Sequence, residues 1–130
     1  MITELATSER VELLDVTDVV AEAVPADLEA GVCHVFVPHT TAGVIVNEPE
    51  SGLLADVERL LGRLVPPEEA YEHDRIDDNA AAHLRSMLLG ESVTLPVSAG
   101  ELALGTWQAV LFVEGDGPRT RRLRVTTVAR

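Results

Sequence analysis

The chain has 130 residues, a single cysteine, 46% apolar residues and a formal net charge of −12. That length fits one domain able to bury a core without disulfides or a structural metal, and the apolar content excludes a disordered chain. The charge argues against nucleic acid as the main partner, because phosphate binding needs a positive footprint, and no segment approaches the roughly 20 apolar residues of a membrane span.

Residues 2–6 and 9–14 read as short strands around Thr7-Ser8. Thr17-Asp18 starts a helix that Pro25 stops early. The β-branched run 31–37 after Ala30 predicts a strand, with Cys33 as a small core residue and His34 on the opposite side. Pro38-His39-Thr40-Thr41 breaks this run, and residues 43–47 resume it. Ser51–Leu64 is the clearest helix: Leu53, Leu54, Val57, Leu60, Leu61 and Leu64 follow the three-and-four spacing of one buried face. Pro66-Pro67 ends it, and an acidic irregular stretch over 66–77 carries Tyr71, His73 and Asp74.

A second helix is predicted over 78–89, with Asp77 or Asp78 as N-cap, Gly90 as C-cap, and Ala81, Leu84 and Leu88 on its inner face beside His83. Strands follow at 92–97, 101–104, 107–114 and 123–128, with turns at Ser98-Ala99-Gly100 and Gly115-Asp116-Gly117-Pro118. The class is therefore α+β, a mostly antiparallel sheet with two to three helices in a single domain over 1–130. Aromatic residues are only 3%, so the core must be aliphatic, and Trp107 reads as its one large aromatic, the alternative being a lid over a ring substrate. The N-terminus has no basic start followed by an apolar run, so a cytoplasmic protein is expected.

The chemistry-bearing residues are few. His39 stands where a strand breaks, followed by Thr40 and Thr41; an imidazole there can bind a metal, and the hydroxyls can hold an anion. The plain alternative is a histidine satisfying a strand end. Asn47-Glu48 ends the next strand and can face His39 across the bend, with Glu48 as base or ligand and Asn47 as an orienting donor, or it is ordinary turn chemistry before Pro49. His73 and His83 match no compact zinc spacing, so only the fold can unite them, with Asp74, Asp77 and Asp78 as supporting acids. Gln108, next to Trp107, needs a partner if buried. Arg119, Arg121, Arg122 and Arg124 read as the outward face of a strand, or as a small phosphate-binding patch.

Taken in order, His39-Thr40-Thr41-Ala42-Gly43, Asn47-Glu48, Tyr71-Glu72-His73-Asp74, Asp78-Asn79-Ala80 with His83, Leu88-Leu89-Gly90, Leu95-Pro96-Val97, Gly105-Thr106-Trp107-Gln108 and Gly117-Pro118-Arg119 resemble the YjbQ family, from about Thr3 to Val128. Each piece is weak; the ordered set is specific. The resemblance implies a small α+β fold, a twisted sheet sandwich with helices, assembled as a homotrimer. It implies a weak, secondary thiamine-phosphate synthase activity that joins hydroxymethylpyrimidine pyrophosphate to thiazole phosphate.

The carried-over site is His39, Asn47, Glu48, His73, Asp78, Asn79, His83 and Gln108, near a subunit interface. Within it Glu48, Asn47, Asp78, Asn79 and Gln108 are the expected catalytic residues, and Thr40, Thr41 and Arg119 add donors for a phosphorylated small molecule. A divalent metal, zinc or magnesium, on His39, His73 and His83 is inferred from the residue types. The departures are Pro38 before His39, the stretch Pro49-Glu50-Ser51-Gly52, and Arg85 where the family carries Lys. Two other readings stand beside this one: a metal- or ligand-binding homotrimer without physiological catalysis, and a purely structural trimer.

Overall fold

A computed structural model describes residues 1–130 as eight strands and three α-helices. In chain order these are β1 (Ile2–Ala6), β2 (Glu12–Asp15), α1 (Thr17–Ala21), β3 (Ala30–Phe36), β4 (Ala42–Asn47), α2 (Ser51–Leu64), a 3-10 turn at Glu72–Arg75, α3 (Ala80–Leu89), β5 (Ser92–Ser98), β6 (Glu101–Leu102), β7 (Ala109–Glu114) and β8 (Thr120–Ala129). The architecture is α+β, as expected.

The strands form two sheets, one of five in the order β1-β8-β3-β5-β6 and one of three in the order β2-β7-β4. Every pairing is antiparallel. The core lies between the sheets. Cys33, Val35, Leu95, Val97, Leu123 and Val125 come from the larger sheet, Val44, Val110 and Phe112 from the smaller, and Val16, Val20 and Val24 close one end. Each such side chain contributes about 1.5–3 kcal/mol by leaving water. The core is aliphatic apart from Phe112. All six residues of β7 are buried, which explains its unbroken apolar run. Val110 and Phe112 belong to the inter-sheet core, while Val113 meets Leu61 of α2 and Leu89 of α3 on the other side.

Two backbone positions depend on small residues. A Cβ on Gly31 would lie 2.2 Å from the Val128 carbonyl oxygen, so glycine lets β3 and β8 close together. Ala99 (φ 51°) and Gly100 (φ 78°) both take left-handed conformations, as a two-residue hairpin between β5 and β6 requires.

Several expectations need correction. α3 starts at Ala80, not at Asp78, because Asp74 accepts the Ala80 N–H at 3.0 Å and so replaces the expected Asp77 or Asp78 cap. It turns Ala81, Ala82 and Arg85 inward, leaving Leu84 and Leu88 exposed. Small alanines allow this close seat against β4, where the Ser86 hydroxyl donates to the Ala42 carbonyl at 2.6 Å. On α2 only Leu61 of the six-residue stripe is fully buried, and Leu60 and Leu64 face outward. Trp107 is 73% exposed and is no part of the core. Arg121 is buried: β8 alternates, with Arg121, Leu123 and Val125 inward and Arg122 and Arg124 outward, so the basic run is not one outer face. No helix is long and apolar enough to cross a membrane.

Candidate functional site

The site forms at one end of the sandwich, where the β3–β4 crossing (38–41) meets the β7–β8 turn (115–119). The Gly115 N–H donates to the Thr41 carbonyl at 3.0 Å and fastens the two. Beneath them is a buried ion pair. Arg121 donates from Nε to Glu114 Oε1 at 2.8 Å, from Nη2 to Glu114 Oε2, and from Nη2 to Thr41 Oγ1 at 2.9 Å. Thr7 Oγ1 also donates to Glu114 Oε1 (2.8 Å), and the Asp116 N–H to Oε2 (2.9 Å). Burial alone would raise the Glu114 pKa. The hydrogen bonds from Arg121, Asp116 and Thr7 outweigh it and hold the carboxyl below the usual range, so the pair stays ionised.

Over this base lies an open cleft of about 750 Å³ whose walls include His39, Thr40, Thr41, His73, Asn79, His83, Arg119 and Arg121. Its size suits a small-molecule ligand. The Arg122 backbone N–H donates to His39 Nε2 at 2.9 Å. Burial lowers the His39 pKa, and the positive Arg121 lowers it further against the opposing pull of Glu114; the Arg122 N–H, which needs the Nε2 lone pair, also favours the neutral ring. His39 is therefore neutral near pH 7, and with Nε2 accepting it carries its proton on Nδ1. His73 and His83 stack edge to face with ring centres 4.7 Å apart, and His73 Nε2 lies 3.1 Å from Asn79 Oδ1. Arg119 is held by Asp116, through Nε to the carbonyl (2.7 Å) and Nη2 to the carboxylate (2.9 Å).

The fold thus brings together His39, Thr40, Thr41, His73, Asn79, His83 and Arg119. Thr41 is buried, and its hydroxyl serves Arg121. Four expected catalytic residues are elsewhere. Asn47 and Glu48 sit at the far end of β4, roughly 20 Å from Thr41 at about 3.3 Å per residue, because the strand runs away from the bend and does not fold back toward His39. There they share a separate shallow cavity with Trp107 and Gln108. Asn47 Oδ1 accepts the Glu48 N–H at 2.8 Å and Gln108 Oε1 the Gly105 N–H at 2.8 Å, so both close their own turns. Asp78 lines a third cavity, about 320 Å³, on the Arg10 side of Asn79. Arg85 lies outside the cleft, donating to the Val65 carbonyl and tying α3 to the end of α2.

Sequence reasoning missed Glu114, Asp116 and the inward Arg121. The signal for Arg121 was its two-residue phase with Leu123 and Val125; for Glu114 it was a charge closing a wholly apolar strand.

The donor set fails the test of a metal seat within one chain. His39 has no free lone pair, one nitrogen accepting a backbone N–H and the other carrying its proton, and His73 Nε2 is engaged by Asn79, which leaves Nδ1 of His73 and the His83 ring, too few for a seat. No group of three or more His, Cys, Asp or Glu side chains gathers to hold an ion. What the cleft offers is two arginines, each already paired with a carboxylate, and hydroxyl and imidazole groups, with Asp77 and Glu91 on the same wall.

The comparisons with known proteins agree with the fold. Residues 1–130 match the family model described as UPF0047 protein YjbQ-like. The chain is 51% identical over 121 residues to a UPF0047 protein of Archaeoglobus fulgidus, covering 93% of this chain and 94% of that one. It is 38% identical to the UPF0047 protein YugU of Bacillus subtilis, covering 91% and 90%. Its structure is similar to that of a YbjQ-like protein of unknown function from Sulfolobus solfataricus, with a TM-score of 0.96 and 37% identity over 100% of this chain and 96% of that one. It is also similar to a hypothetical protein from Aeropyrum pernix, with a TM-score of 0.95 and 40% identity over 100% and 98%.

Proposed function

This chain belongs to the YjbQ-like UPF0047 family, and from that premise we propose that it is a secondary thiamine-phosphate synthase-like transferase working as a homotrimer. The observation that carries the reading is the histidine-lined cleft, with Arg119 and Arg121 on its wall beside Asp77 and Glu91. In a protein of net charge −12 a phosphorylated ligand would be met here by the Arg119 N–H groups that Asp116 does not take, with the hydroxyl and imidazole donors around them.

In the proposed reaction the thiazole nitrogen attacks the methylene carbon of hydroxymethylpyrimidine pyrophosphate. The new C–N bond uses the nitrogen lone pair. The C–O bond breaks, and pyrophosphate leaves with its electrons. The protein's task is to stabilise the leaving group and align two rings. Arg119 and Thr40 are on the cleft wall for the pyrophosphate oxygens, His39 adds a neutral N–H donor, and His83, whose ring stands edge to face with His73, can hydrogen-bond the departing oxygen. Charge neutralisation is assigned to these residues and no step runs through zinc or magnesium.

The homotrimer supplies what one chain lacks. Leu60, Leu64, Leu84, Met87 and Leu88 leave an apolar surface on α2 and α3, and Asn47, Glu48, Trp107 and Gln108 lie away from the cleft. A second copy that covers the first can bring the second group to it. The same separation favours the rival reading, a ligand-binding homotrimer without catalysis, because a one-chain cleft lacks Asn47, Glu48 and Gln108, three of the expected catalytic residues.

The test is an assay of the purified protein with both substrates, reading thiamine phosphate, beside light scattering for three times the 14.0 kDa chain mass. Arg119→Met is expected to lower the rate at least about tenfold. Substrate that binds and is never converted would establish the rival reading, and a monomer would remove the trimer.

A further inference from the structure

Asp116, in the turn between β7 and β8, is 8% exposed and has no place in the reaction just described. Its carboxylate collects donors from three directions. Oδ2 accepts from Asn79 Nδ2 at 2.9 Å and from Arg119 Nη2 at 2.9 Å, and Oδ1 faces Arg10 Nε at 3.4 Å. Burial would raise its pKa, but the Asn79 and Arg119 hydrogen bonds and the Arg10 and Arg119 charges outweigh that and keep it ionised.

An ionised carboxylate has no hydrogen to give. The Asn79 amide must therefore turn its NH2 toward Asp116, and the atom 3.1 Å from His73 Nε2 is its oxygen. An amide oxygen only accepts, so Nε2 of His73 must carry a hydrogen. Neutral His73 is left with one lone pair, on Nδ1. His39 has the opposite arrangement, because its Nε2 accepts the Arg122 N–H.

We propose that Asp116 is a positioning residue which, through Asn79, fixes His73 as the Nε2–H tautomer with Nδ1 as its free acceptor, while the same carboxylate oxygen holds Arg119 at the anion side of the cleft. Its catalytic consequence rests on the transferase reading; the tautomer does not. Coupling the two through one oxygen keeps the guanidinium and the imidazole in a fixed mutual arrangement, so the Nδ1 lone pair, which can take an N–H or O–H of a ligand, stands at a set place beside the cation. The amide between carboxylate and ring plays the orienting part that a carboxylate plays directly in an Asp–His pair.

The experiment is nitrogen NMR of the ¹⁵N-histidine-labelled full chain at about pH 8, above the ordinary imidazole range, with His73 assigned by its loss in His73→Gln. The wild type is expected to show a pyrrole-type Nε2 and a pyridine-type Nδ1. Asp116→Ala and Asn79→Ala should move both resonances toward the tautomer average, and Asp116→Asn, which keeps an oxygen for Asn79, should retain the wild-type pattern. If Asp116→Ala does not fold, Asn79→Ala carries the test. In the synthase assay Asn79→Ala should lower kcat about tenfold with KM unchanged within about twofold. A protonated Nδ1 in the wild type, or shifts unmoved in both alanine variants, overturns the proposal. The expected shifts without any synthase turnover would leave the positioning role intact and defeat only the transferase reading.

Discussion

Replacing Glu114 by Gln tests the base of the site. Glu114 is fully buried and accepts hydrogen bonds from Thr7, from the Asp116 backbone and twice from Arg121, itself 4% exposed. Glutamine has the same shape but no charge, and one of its two carboxylate positions becomes a donor. That NH2 must face Arg121 or the Asp116 N–H, so at least one buried donor loses its acceptor, at about 1–3 kcal/mol. Arg121 also loses its only counter-charge within salt-bridge distance. Breaking one side of such a pair costs about 3–5 kcal/mol in all, against a total stability of about 5–15 kcal/mol.

Arg121→Met should cost a similar amount, since it strands the carboxylate. The double variant Glu114→Gln with Arg121→Met should recover much of the loss, because both charges leave together. Urea unfolding followed by circular dichroism at fixed protein concentration measures all four proteins. Single variants that cost under about 1 kcal/mol, or a double variant as unstable as the sum of the singles, would refute the claim that the pair acts as one buried unit.

Two further outcomes follow from named contacts. Gly31→Ala puts a Cβ 2.2 Å from the Val128 carbonyl oxygen, a backbone atom with no flexible end to move, so a loss of about 1–3 kcal/mol or more is expected in the same melts; a change within about 0.5 kcal/mol would show that the β3–β8 contact relaxes freely. His39 should titrate below its ordinary value of 6.5, chiefly through burial. The unfolded chain then takes up the proton first as pH falls, so the stability His39 contributes is whole above about 6.5 and is lost from there down to its folded pKa. An NMR titration of its ring proton that centres at or above 6.5 would contradict this.

Legibility in the sequence followed the range of the interactions involved. α2 occupies Ser51–Leu64, both ends as expected, because Glu50 caps its first N–H groups and Pro66-Pro67 stops its last turn, all within the local chain. The hairpin at Ala99-Gly100 is equally local. Trp107 and α3 failed for the opposite reason. Hydrophobicity marks a residue as wanting burial, but whether this chain supplies the cover is a tertiary matter, and for Trp107, Leu84 and Leu88 it does not. The inward turn of Ala81 and Ala82 is decided by the close approach of α3 to β4, which a hydropathy pattern does not record.

The site divides along the same line. His39 reaches Arg122, 83 positions further on, because β3 and β8 are neighbours in the larger sheet. Asn79 reaches Asp116 across 37 positions through the packing of α3. Local sequence contains neither contact, yet it contained the residue types that make them useful. Glu48 shows the limit from the other direction: its neighbourhood reads well as a strand end, and that strand is what carries it away from His73. Glu48 and His73 can meet one substrate only if a neighbouring copy lends its Glu48 to the cleft. The step assigned to Arg119, Thr40 and the imidazoles does not use Glu48, so turnover by a monomer would place Glu48 outside the reaction and leave the cleft of one chain as the whole machinery.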